Sequence, residues 1–277
     1  MLKILGQINI DGKDKIQVAI DRLKTFEPKE GYYVAFSGGK DSQVIYHLCK
    51  EAGVKFDAHY NITGIDPPEL VYFIRKNYPD VERHQHEKSM FQLIEEKGLP
   101  TRLVRFCCAE LKERGGQGRF VVTGVRWSES VKRKNNRNMV EFDTYGSNSR
   151  SAINNREIFL NSDNDEKRKM IESCVIKGKH VLNPIIDWTE RDVWDYIKGR
   201  SIEYCKLYDV GHTRLGCIGC PMSSTKRSEL KKYPKFAENY KRAIARWLPG
   251  YLERANKAER IPCYTTVDEW YSWWIEE

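Results

Sequence analysis

Two cysteines stand side by side in RFCCAEL, at residues 105–111, and two more are spaced C-x-x-C in TRLGCIGCPM, at residues 213–222. Adjacent cysteines point their side chains in different directions and rarely pair with each other, so Cys107 and Cys108 need partners from elsewhere. Cys217 and Cys220 follow after 108 intervening residues. Together the two pairs make four thiolates, the number that tetrahedral zinc or a cubane iron–sulfur cluster takes. Residue types alone leave three readings open: zinc, a cluster, or buried free thiols on a helix face. Cys49, in the middle of an expected helix, and Cys174 read as structural or incidental. His84, His86 and His212 show no ligand-like spacing and read as surface or nucleotide-pocket residues.

A second stretch carries a different chemistry. In VAFSGGKDS, residues 34–42, an apolar run ends at Phe36, and Ser37, Gly38, Gly39, Lys40, Asp41 and Ser42 lead into a helix. Glycines let a backbone turn tightly and bring its N–H groups close to an anion. A helix N-terminus adds partial positive charge, Lys40 a full one, and the serines hydroxyl donors. The spacing is not that of a Walker loop, and the bland alternative is an ordinary glycine turn between strand and helix.

These groups must be placed by the elements around them. GYYVAF reads as a buried strand, QVIYHLCKEAG as a helix ending at Gly53, VKFDAHYNI as the next strand and PPELVYFIRKNYP as the next helix. VERHQHE and RFVVTGVR read as further strands, with a helix through SMFQLIEEKG between them. Such alternation implies a doubly wound α/β fold, a mostly parallel sheet with helices on both faces. Thr189 is the expected N-cap of a helix over ERDVWDYIKG, with Asp192 completing a capping box. Residues 128–172 break the pattern: they are polar, rich in Asn and Ser, and read as a long excursion from the core. Leu230, Tyr233, Phe236, Tyr240, Ile244 and Trp247 recur at helical spacing. The expected organisation is thus a nucleotide-binding α/β domain over 1–224 and a helical, aromatic-rich C-terminal extension over 225–277.

With 47 Lys and Arg against 39 Asp and Glu, the chain carries a formal charge of +8. That favours an anionic partner, a nucleotide or a nucleic acid. VKRKNNR, at 131–137, is the most basic stretch, read either as a nucleic-acid contact or as a solvated loop or lid. The N-terminal MLKILGQINIDGKDK lacks the apolar run and cleavage site of a secretory signal, and no apolar stretch approaches the ~20 residues of a membrane span. A cytoplasmic protein with no membrane contact is expected, where eight cysteines favour metal or redox use over structural disulfides.

Four motifs, in order, carry a resemblance to a known family. SGGKDS resembles the PP-loop of the ATP pyrophosphatases, the adenine nucleotide alpha hydrolase-like proteins. TGIDPPEL at 63–70, TGVRWSESVKR at 123–133 and NPIIDWTERDVWDYI at 183–197 resemble segments of the phosphoadenylyl-sulfate reductase family. CC…CxxC is similar to the [4Fe–4S] site of that family's cluster-bearing branch. The resemblance covers about residues 30–222. It implies cleavage of ATP between its α and β phosphates, with Mg²⁺, to leave an adenylylated acceptor. By position it implies that Ser37 to Ser42 hold phosphates, that Gly124 lets the nucleotide lie against a strand end, and that Asp66 orients Mg²⁺. Lys40, Asp41, Arg126 and Arg133 would be the catalytic set. Cys107, Cys108, Cys217 and Cys220 would hold the cluster, with zinc as the alternative metal.

The chain departs from the reductases at its end. They attack with a cysteine in an ECGLH-like tail, whereas ERIPCYTTVDEWYSWWIEE keeps Cys263 without those neighbours. The resemblance therefore implies an iron–sulfur ATP pyrophosphatase supporting sulfur transfer, similar to those of DNA phosphorothioation, with DNA as acceptor and a cysteine desulfurase as sulfur donor. The alternatives are a sulfonucleotide reductase using Cys263 and a non-catalytic nucleotide-binding module whose cluster senses redox state.

Overall fold

The computed structural model describes residues 14–113, 115–143 and 179–277. In chain order the elements are α1 (Lys15–Thr25), β1 (Tyr32–Ala35), α2 (Lys40–Ala52), β2 (Phe56–Ile62), α3 (Pro68–Asn77), β3 (Glu82–Gln85), α4 (Met90–Lys97), α5 (Phe106–Leu111) and β4 (Phe120–Val122). A 3-10 turn at Trp127–Glu129 leads to α6 (Val131–Asn136), β5 (Val140–Asp143), β6 (Lys179–Leu182), α7 (Glu190–Gly199), α8 (Lys226–Lys232), α9 (Pro234–Lys257) and α10 (Val267–Glu276).

The strands form one sheet in the order β3-β2-β1-β4-β6-β5. β1 pairs parallel with β2 and β4, β4 parallel with β6, and only the edge strand β5 runs antiparallel, to β6. Successive residues of β1 and β4 are buried, as a strand covered on both faces requires. The order reverses at β1: the chain steps outward to β2 and β3, then returns to β4 on the other side. Ligands of doubly wound sheets bind beyond the strand ends at such a switch point, and the SGGKDS loop follows β1 there.

Local signals explain most boundaries. Gly53 ends α2 in the left-handed conformation, φ 68°. Thr189 and Asp192 form the expected capping box of α7: Thr189 Oγ1 accepts from the Asp192 N–H, and Asp192 Oδ2 from the Thr189 N–H at 2.7 Å. The expected excursion at 128–172 is partly structured, because α6 and the edge strand β5 fall inside it; its remainder, 144–172, lies outside the described residues, as does Cys174. β5, VEFD, alternates apolar and polar residues over only four positions inside a polar stretch, too short for the pattern to stand out.

The chain gathers into two compact units, each assembled from separated stretches: residues 1–60, 72–83 and 116–214, and residues 61–71, 84–115 and 215–277. This differs from a division at residue 224. In the first unit α2 packs against α1 and α7. The second unit has its own core, in which α9 packs on α4 and α10 around Ile94, Tyr240, Ile244 and Trp274. The expected aromatic extension is therefore half of a unit that also holds both cysteine pairs. Among the described residues, no helix is long and apolar enough to cross a membrane.

Candidate functional site

The first unit builds its site at the N-terminus of α2. Gly38 takes φ 71°, which a side chain would oppose, and Gly39 is an extended N-cap with no side-chain cap of its own. Ser42 fastens the loop: its Oγ donates to the Gly39 carbonyl at 2.9 Å and accepts from the Ser37 N–H at 3.2 Å. The Ser42 hydroxyl, expected to hold phosphate, is thus engaged in holding the loop. The Lys40 N–H, one of the donors a helix start leaves for an anion, donates to the Tyr208 hydroxyl at 2.9 Å.

Lys40, at the helix start, is buried, its side chain 6% accessible. Its Nζ donates to the Thr213 carbonyl at 3.0 Å and lies 3.3 Å from Glu190 and 3.5 Å from Asp41. Arg126, 3% accessible, pairs with Asp41 at 2.7 Å and with Glu190 at 2.8 Å, and donates to Ser128 Oγ. Arg126, 85 residues after Asp41, is thereby brought to the adjacent Lys40 and Asp41. Arg133 pairs with Glu129 and also joins this group electrostatically. Burial, then the like charges of Arg214 and Arg137, lower its pKa, with Asp41 opposing. A cation held among other cations favours an incoming anion.

Gly124 is required for a reason other than the expected one. A Cβ there would meet the Asp41 backbone at 2.9 Å, so the glycine admits the first turn of α2 against the end of β4. Four contributors escaped the sequence reading: Glu190, Tyr208, Thr213 and Arg214. Glu190 lies inside the NPIIDWTERDVWDYI motif, which was its one available signal; Tyr208 and Thr213 reach the loop only through the tertiary fold.

The second unit gathers the four cysteines. Cys107 and Cys108 lie on α5, and Cys217 and Cys220 on a turn pinned by the Ile218 N–H donating to the Ile65 carbonyl at 2.8 Å. Gly219, at φ 74°, makes that turn while its Cα faces Tyr240 and Trp274 closely. Tyr240 is fully buried and donates its hydroxyl to the Ile218 carbonyl at 2.9 Å. Cys107 hydrogen-bonds to Cys108 and interacts electrostatically with Cys217 and Cys220. The mutual hydrogen bond drives the pair apart in acidity: Cys108 is pulled down and Cys107 pushed up. Burial pushes Cys217 up to about 11, against the pull of Lys112. All four are free thiols. Cys107 has the other three thiols within electrostatic reach, but no three of the four sulfurs lie within 4.8 Å of one another; among the described residues the group that does is His59, Glu82 and His84.

Lys112 was not expected. Burial lowers its pKa, but Cys217, which it hydrogen-bonds, and Asp66 outweigh that and hold it above its usual value. Its place four residues after Cys108, on the same helix side, was the sequence signal. Asp66, expected to orient Mg²⁺, is buried in this unit, accepts from Thr63 Oγ1 at 2.9 Å and faces the Lys112 charge. Cys263 is exposed, and its N–H donates to the Tyr251 hydroxyl at 3.1 Å.

A family model for the phosphoadenosine phosphosulfate reductase domain matches residues 31–223. The chain belongs to that family, one of nucleotide-utilising enzymes. An uncharacterized protein of Methanocaldococcus jannaschii is 28% identical over 241 residues, which cover 83% of this chain and 44% of that protein. An adenosine 5'-phosphosulfate reductase of Staphylococcus saprophyticus is 39% identical over 72 residues, 26% of this chain and 24% of the enzyme. The chain spans less than half the length of these relatives. Among solved structures, the phosphoadenylyl-sulfate reductase of Candida auris aligns over 76% of this chain and 98% of its own, at 15% identity and a TM-score of 0.48. The U34-tRNA thiolase of Methanococcus maripaludis, with its [4Fe-4S] cluster, aligns over 92% and 88%, at 15% identity and a TM-score of 0.40.

Proposed function

We propose that the chain is an ATP pyrophosphatase that adenylylates an acceptor for sulfur transfer. The observation that carries this reading is the pair of buried cations, Lys40 and Arg126, at the glycine-turned start of α2. Fixed positive charge in a water-poor site stabilises charge developing on departing pyrophosphate, and Arg forks suit the transferring phosphoryl group. AMP then becomes the leaving group when sulfur displaces it. Cys107, Cys108, Cys217 and Cys220 are the residues that would hold a [4Fe–4S] cluster, with zinc as the alternative. Such a group would supply a binding or redox centre for sulfur. The acceptor we infer is nucleic acid, DNA foremost. Supporting it are the +8 charge and the exposed Lys132 and Lys134 on α6, the helix that also carries Arg133. A cysteine desulfurase is the class of partner that would deliver the sulfur, and the nucleotide would bring Mg²⁺.

Incubation with ATP and Mg²⁺ tests the reading: pyrophosphate should be released, with AMP appearing on an added acceptor or in water. Lys40→Ala should lower turnover by about 10²–10³-fold. Because Lys40 is buried among two carboxylates, the change should also cost about 1–2 kcal/mol of stability, discounted for the exposure of Glu190. Undiminished turnover in the variant would remove the loop from the chemistry. A second reading, sulfonucleotide reduction through Cys263, is favoured by the exposed, free thiol. It requires sulfite from adenylyl sulfate in the presence of a thiol reductant.

A further inference from the structure

Lys40 and Arg126 are nearly inaccessible, yet the carboxylate that bridges them is not. Glu190 lies 3.3 Å from Lys40 Nζ and 2.8 Å from Arg126, and its side chain is 54% exposed. Its other partner is the Trp194 indole N–H at 3.2 Å, one turn further along α7. Glu190 is the first residue of α7, where the helix dipole favours a negative charge. Burial raises its pKa, but Lys40 and then Arg126 prevail and hold it below the usual carboxylate range.

Asp41, the other carboxylate of the group, cannot move as freely. It sits in the first turn of α2, and its backbone and Cβ are pressed against Gly124. Glu190 has the longer side chain, the greater exposure and no such wedge. Its carboxylate therefore stands on the two cations as a phosphate oxygen would, and from a position that opens to solvent.

We propose that Glu190 is a resident counter-anion: a positioning residue that holds Lys40 and Arg126 in place in the ligand-free chain and yields them to the phosphates of the nucleotide. This rests on the phosphate-site reading above. Competition of this kind lowers apparent affinity by the fraction of time the site is free. A carboxylate that covers its cations about nine-tenths of the time costs a factor of about ten. It acts on phosphates only, so it lowers the affinity for polyanions and leaves that for neutral nucleosides unchanged.

Calorimetric titration of the full chain and of Glu190→Gln tests this, with inorganic pyrophosphate, ATP and adenosine as probes. Glutamine keeps the length and can still accept from Trp194. Pyrophosphate and ATP should bind about tenfold tighter to the variant, with adenosine unchanged and KM for ATP falling more than kcat changes. A carboxylate that only supports the site would loosen Lys40 and Arg126 when removed, so weaker or unchanged pyrophosphate binding overturns the proposal. Glu190→Ala reads the same quantity if the glutamine variant does not fold. A wild-type chain that binds none of the three probes would overturn the phosphate-site reading itself. Binding by wild type without tightening in the variants would overturn only the role of Glu190.

Discussion

The phosphate loop and the cysteine turn solve opposite electrostatic problems. At the loop, the two buried cations already have counterparts from the chain: Lys40 and Arg126 rest on Asp41 and Glu190, and the Lys40 N–H on Tyr208. At the turn, Cys107 has Cys108, Cys217 and Cys220 within electrostatic reach, and Lys112 is a cation beside Cys217 and Cys108. Only part of such a group ionises unaided, because each thiolate opposes the next, as the split between Cys107 and Cys108 shows. A metal centre reverses that balance by deprotonating its ligands outright. The first site is therefore complete as a folded object without its ligand. The second is a set of donors whose mutual repulsion a cation relieves.

The largest effect that would sharpen or break this contrast is loss of the metal. Protein purified without oxygen should carry about four irons per chain. Serine at Cys107, Cys108, Cys217 or Cys220 should each remove it. Hydrogen exchange should then rise in α4 and α9, in the second unit, while α2 and α7 of the first keep their protection. Stoichiometric zinc without iron would change the metal but keep the contrast. Wild-type metal content in any of the four variants would break it.

A pair of glycines gives the next effect in size. At Gly124 a Cβ would lie 2.9 Å from the Asp41 backbone, and at Gly219 it would lie 3.0 Å from Trp274 and 3.1 Å from Tyr240, with φ 74° besides. Alanine at either site should cost about 1–3 kcal/mol by overpacking, read as a lower melting temperature or denaturant midpoint. The consequences should separate. Gly124→Ala should displace the start of α2 and lower ATP cleavage with metal content unchanged. Gly219→Ala should reduce metal content and leave nucleotide binding intact. If each variant impaired both properties equally, the two sites would not be independent constructions.

The same contrast governs what was legible in the sequence. Motifs that fold on themselves could be read directly: the strand–glycine–helix order around Lys40, the Thr189–Asp192 cap and the Gly53 stop. CC and CxxC, read as one set, fall within one unit. Glu190, Tyr208 and Thr213 were not legible as loop partners, because long-range contacts decide which oxygens satisfy a buried lysine. The same reason hid the burial of Lys40: a lysine after two glycines reads as exposed until its counter-charges are found. The unit division was hidden because the second unit draws on three separated stretches, and long-range contacts join 84–115 to 215–277: hydrophobic packing and hydrogen bonds such as that of the Trp274 indole N–H to the Pro100 carbonyl. β5 was missed because its alternation, VEFD, spans only four residues.

The smallest expected effect belongs to Cys263, and its smallness is what makes it informative. The residue lies between α9 and α10, exposed, and it enters the described hydrogen bonds only through its backbone, whose N–H donates to Tyr251. Serine preserves that backbone contact, so melting temperature and iron content should stay as they are. In sequence, Arg260 is the nearest cation, and IPCYTT contains no histidine. A nucleophile needs such a neighbour or an adjacent base, whereas phosphate cleavage at Lys40 and Arg126 needs neither. Cys263→Ser should therefore leave pyrophosphate release from ATP within about twofold of wild type, well inside what the loss of a participating group costs. Sulfite release from adenylyl sulfate that is present in wild type and absent in this variant would reverse the assignment. The exposed thiol would then be the nucleophile, and the cations at α2 would serve to hold a sulfonucleotide in place of ATP.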